Sequence, residues 1–108
     1  MEEKLSLIKE PLKMFIDGEW VTPEEEKTFP VFDPNTNNKI GEIFEAGKAE
    51  IEKAVRAARQ AFDSGPWRKM TGKERGELLN KVADIVERDL QKLAYLEALD
   101  TGKVITQA

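Results

Sequence analysis

A chain of 108 residues, 40% hydrophobic and 35% charged, has room for one modest core, which excludes a second domain, and lacks the depletion in large apolar residues that marks disordered chains. Its net charge of -4, from 17 basic and 21 acidic residues interspersed along the chain, offers no electrostatic footprint for nucleic acid. With no Cys and no His, the sequence holds no thiolate nucleophile, no disulfide, no sulfur-ligated metal and none of the side chain most used as a general base near neutral pH.

Residues 1–13 form a short amphipathic lead. Glu2 and Glu3 stand where a signal or transit peptide would be acid-poor. No apolar run approaches the roughly 20 residues needed to cross a bilayer, so the expectation is a cytoplasmic protein with no membrane partner. In "MFIDGEWV" two apolar runs flank Asp17-Gly18, the dipeptide whose tolerance of positive φ suits a type I′ hairpin turn. Strands are expected over 14–17 and 19–22. Thr22 to Lys27 is a polar loop with a proline breaker, and its three adjacent glutamates read as a solvated charge run rather than a metal site. "TFPVFDP" is extended, with Pro30 and Pro34 confining it to an edge or to non-ladder positions. Asp33 to Asn38 is a turn cluster, and "KIGEIFEA" is the next strand, with apolar residues on both faces.

From Lys48 the period becomes helical, with Ile51, Ala54, Val55, Ala58, Ala61 and Phe62 on one stripe until Asp63-Ser64-Gly65-Pro66 ends it. Thr71 followed by Glu74 has capping-box spacing and opens a second helix carrying Leu78, Leu79, Val82, Ile85 and Val86. Arg88-Asp89 breaks that pattern, and Leu90, Leu93, Leu96 and Leu99 resume it up to Asp100. Gly102 reads as a left-handed helix stop with Lys103 against the negative helix end. "VITQA" reads as the start of a further helix. The fold class is α+β: a β-hairpin and short antiparallel strands, then two or three helices. Their apolar stripes exceed what one hairpin can cover, so the chain is either a small marginal unit or one end of a larger protein.

Neither Gly18, Gly41 and Gly47 nor Asp100-Thr101-Gly102-Lys103 has the spacing of a dinucleotide fingerprint or a phosphate loop. Trp67 and Arg68 are expected to pack and pair beneath the helix that follows, and Arg75 to form a structural ion pair.

"FIDGEWV", "KTFPVFDP", "AVRAARQAFDSGPWRKM" and "ERGELLNKVADIVERDLQKLAYLEALDTGK", in this order and spacing, resemble the N-terminal segment of the NAD(P)-dependent aldehyde dehydrogenase superfamily. The resemblance runs from Phe15 to Lys103. It implies that residues 14–108 are the incomplete N-terminal part of a cofactor-binding domain within a larger α/β fold, roughly the first fifth of such an enzyme. The parent activity is oxidation of an aldehyde to a carboxylic acid through a cysteine thiohemiacetal, with hydride passing to NAD or NADP and a glutamate base releasing the acid. The cysteine, that glutamate and the cofactor glycines fall outside the resembling stretch. This segment is therefore expected to hold no catalytic or cofactor-binding residue and to be structural, its partner being the remainder of a subunit in a homo-oligomer. An autonomous interaction module derived from such a segment is the alternative. The resemblance also implies a Na+ or K+ site, with main-chain oxygens of Val31 and Phe32 and the carboxylate of Asp100 as ligands; otherwise Asp100 only caps a helix end or solvates a turn. Asp33 in place of the family's usual Asn, and Phe32 in place of Val or Ile, depart from that pattern.

Overall fold

The computed structural model describes residues 10–108, so the first nine residues of the lead lie outside the described residues. Asp17 (φ 53°) and Gly18 (φ 79°) both take positive φ, which is what a two-residue turn between right-twisted strands requires. They join β1 (Met14–Ile16) to β2 (Glu19–Val21), paired antiparallel with Phe15 opposite Trp20. The two rings meet at 5.0 Å between centroids. Ile16 is buried, 7% exposed.

A second antiparallel pair follows, β3 (Thr28–Phe32) with β4 (Lys39–Phe44). Pro30 sits within β3 opposite Glu42, and the register shifts between Val31 and Phe32. The turn between the strands is tied by Asp33, whose Oδ1 accepts from the Asn35 amide at 2.8 Å and whose Oδ2 accepts from Thr36 Oγ1 at 3.1 Å. Asn37 takes φ 59° there, a conformation Asn tolerates better than most residues. On β4, Ile40 is buried and residues 41–44 are half-buried, matching the apolar character of both faces. The end of the lead adds an element the sequence did not signal: Leu12 bridges Ile43 in parallel, its amide donating to Glu42 O and its carbonyl accepting from Phe44 N.

The helices are α1 (Lys48–Ser64), the single turn α2 (Pro66–Lys69), α3 (Gly72–Arg88) and α4 (Leu90–Thr101). The capping box at α3 is complete: the Thr71 hydroxyl accepts from the Glu74 amide at 3.2 Å and the Glu74 carboxylate accepts from the Thr71 amide at 2.7 Å. At the other end of α3, Arg88 forks onto the Asp89 carboxylate at 2.7 and 3.1 Å, and Asp89 separates α3 from α4. Gly102 closes α4 in the left-handed region, φ 74°, its amide donating to Ala98 O. Residues 104–108 make one helical turn on Val104 O.

The chain divides into two compact units, the first ending at Arg59 and the second starting at Gln60. The first holds both strand pairs and the start of α1; the second holds the end of α1, α2, α3 and α4. This is the expected α+β order, with α2 as an addition.

Replacing Thr71 by Ala removes one half of the capping box and should destabilise α3 by about 1 kcal/mol, whereas Thr71→Ser should retain most of it. Helical circular dichroism followed through urea unfolding is the check.

Candidate functional site

Val31 and Phe32 lie at the end of β3, Val31 half-buried and Phe32 49% exposed. The register shift between them disrupts the ladder locally, and such a bulge releases main-chain groups from strand pairing. That suits carbonyl ligation of a hard cation. The neighbouring Asp33 has both carboxylate oxygens engaged inside its own turn, accepting from the Asn35 amide and the Thr36 hydroxyl. Asp100, in the second unit, is an exposed residue in the last turn of α4. A carboxylate near a helix C-terminus faces the negative end of the helix dipole, and among the described residues no hydrogen bond or ion pair is recorded for it. The turn that follows is held by Thr101, whose Oγ1 donates to Glu97 O at 2.7 Å and accepts from the Lys103 amide at 3.2 Å. Lys103 Nζ lies 4.0 Å from the Glu97 carboxylate.

Sequence reading missed Glu50. It stands at the third position of α1, only 7% exposed, where Gly47 precedes the helix and accepts the Ile51 amide. Glu50 Oε2 accepts from the Gly47 amide at 2.9 Å, which is the carboxylate half of a capping box; with glycine at the cap there is no hydroxyl to return it. Its other oxygen accepts from the Glu24 amide at 3.0 Å, across 26 positions of sequence. These main-chain donors, Glu24 foremost, hold the Glu50 carboxyl below its ordinary value against the opposing effect of desolvation. The glycine three residues before a glutamate was the readable signal; the bond to Glu24 had none. Around Glu50 lies a shallow acidic depression lined by Glu24, Glu25, Lys48 and Glu52. Glu24, Glu25 and Glu26 are exposed, as a solvated charge run should be.

In the second unit Arg68 donates to Asp63 O at 2.8 Å, pairing the short turn to the end of α1. The expected ion pair at Arg75 is not what forms. Its guanidinium lies over the Trp67 ring, 5.3 Å from the centroid, and its Nε is buried without a hydrogen-bond partner among the described residues. The weakly hydrated planar cation is at home on an aromatic face. No cluster of three or more His, Cys, Asp or Glu converges on a metal-binding point among the described residues.

A bulged strand end, a bridging carboxylate and a cation over an indole are the polar features that position chain among the described residues. The sequence carries no thiol and no imidazole to act as nucleophile or base. Comparison with known proteins identifies the family. The model of the Aldehyde dehydrogenase family matches residues 20–108. "Aldehyde dehydrogenase, cytosolic 1" of Elephantulus edwardii is 52% identical over 97 residues, 89% of this chain and 19% of that protein. Betaine aldehyde dehydrogenase of Bacillus subtilis is 42% identical over 95 residues, 88% of this chain and 19% of that one. An aldehyde dehydrogenase of Bacillus cereus, solved as its NAD+ complex, superposes with a TM-score of 0.87 at 42% identity over 98% of this chain and 22% of the other. The chain belongs to the aldehyde dehydrogenase family and corresponds to its N-terminal segment. It spans about a fifth of the length of the curated relatives it matches, 19% in these cases.

A double-mutant cycle of Arg75→Ala and Trp67→Leu, read by urea unfolding, should return a coupling of about 0.5–1 kcal/mol, the range of a partly exposed cation over a ring.

Proposed function

We propose that this segment serves as the N-terminal packing part of a cofactor-binding domain in an NAD- or NADP-dependent aldehyde dehydrogenase, and that it is inactive alone. The observation that carries the reading is uncovered apolar surface at helical spacing: Ile51 and Val55 on α1 are 54% and 63% exposed, and Leu79, Val82 and Ile85 on α3 are 59%, 51% and 51% exposed. Stripes of this kind call for another layer of protein. The remainder of an aldehyde dehydrogenase subunit is the partner this predicts. Oxidation of an aldehyde to a carboxylic acid, a homo-oligomer and a cytoplasmic location are assigned to the intact enzyme. The location rests on a relative named cytosolic; no helix among the described residues is long and apolar enough to cross a membrane.

The purified chain should show no aldehyde oxidation with NAD+ or NADP+ and should bind a hydrophobic dye. Adding the remaining part of an aldehyde dehydrogenase subunit should abolish the dye signal. A cooperatively unfolding, dye-silent chain that ignores this remainder would favour an autonomous interaction module instead.

Within the intact enzyme, main-chain oxygens of Val31 and Phe32 and the Asp100 carboxylate are proposed ligands of Na+ or K+. The register shift at β3 and the Asp100 carboxylate, which is without a partner among the described residues, support this donor set. Asp100→Ala should then reduce the rise in Tm with Na+ or K+ concentration. An unchanged rise would remove Asp100 from the site.

A further inference from the structure

Residues 22–27, between β2 and β3, are built tightly for an exposed loop. Pro23 is buried, its carbonyl accepts from the Glu26 amide at 3.2 Å, and Glu26 takes φ 49°, a left-handed conformation that costs most residues other than Gly, Asn and Asp. The loop is anchored at its far end by main chain, the Glu45 amide donating to Lys27 O at 2.8 Å. Near its start, Glu24 donates to the Glu50 carboxylate. That carboxylate also closes the start of α1 through Gly47. A Cβ on residue 47 would stand 2.9 Å from Glu50 Oε2, so glycine leaves the room this bond uses.

We propose that Glu50 is a positioning residue that couples two separate pieces of backbone, the strained loop and the first turn of α1, through one carboxylate, so that acid releases both together. The charged groups around it are Glu24 and Glu25 from the loop and Lys48 and Glu52 from the helix. Lys48 is 3.8 Å from Glu52 and Lys27 is 2.7 Å from Glu25, so each of the nearby cations has a carboxylate of its own. Among the described residues, the hydrogen bonds to the Glu50 carboxylate come from the main-chain N–H groups of Glu24 and Gly47. Because those donors stabilise the ionised form, the Glu50 carboxyl titrates below its ordinary value. The coupling is complete at neutral pH and is lost as pH falls through that depressed native value.

Amide NMR of the full chain, titrated downward from neutral pH, tests this. The Glu24 and Gly47 amides should shift with one common midpoint, below that of an ordinary glutamate. Glu50→Gln should abolish the titration of both. Glu50→Asp, one methylene shorter, should keep a titrating Gly47 amide and lose that of Glu24. Two different midpoints in the unaltered chain, or titration of Glu24 surviving in Glu50→Asp, would overturn the coupling.

Discussion

Shortage of interior is the constraint on which the structure depends. Among the described residues Ile16 and Ile40 are the buried hydrophobics, and no large side chain is fully buried. Full burial of a Val, Leu or Ile is worth about 1.5–3 kcal/mol, so two such residues cannot hold five or more elements in place. The definition of each element has to come from polar groups acting over short stretches of sequence, and these are what the structure displays.

Several element boundaries have a device of their own. The hairpin turns on two positive-φ residues, the β3–β4 connection on the Asp33 carboxylate, α3 on a reciprocal capping box and α4 on a left-handed glycine. Such contributions are about 1 kcal/mol apiece, enough to fix where an element starts and stops and too little to bury its apolar stripe. The helical faces are consequently well formed and poorly covered, which is the condition of a segment shaped for a larger fold. The curated relatives are about five times as long as the matched region, this chain covering 19% of their length.

Local determination also accounts for what could be read from sequence. Asp17-Gly18, Thr71 with Glu74, the Arg88-Asp89 break and Gly102 are each specified by residues within a turn of one another, and each falls where the pattern placed it. What escaped reading depends on distance. The Leu12 bridge to Ile43, the Glu24 bond to Glu50 and the choice of Trp67 rather than a carboxylate by Arg75 all join residues that are not neighbours in sequence. The proposed ion ligands are a different case. Val31 and Phe32 would act through main-chain oxygens, which every residue carries, so composition and spacing hold no trace of the role. Only resemblance to a family could raise it, and the bulge at the end of β3 is a local feature compatible with it.

The two tryptophans of the chain fall in different units, Trp20 in the first and Trp67 in the second. Their surroundings differ in kind: Trp20 is 71% exposed and tilted against Phe15, whereas Trp67 is 42% exposed beneath a guanidinium. The protein thus carries one intrinsic optical reporter per unit. Removing either indole by a change to phenylalanine leaves an emission spectrum that follows one unit at a time, so the order in which the two halves acquire their structure can be timed without any added label.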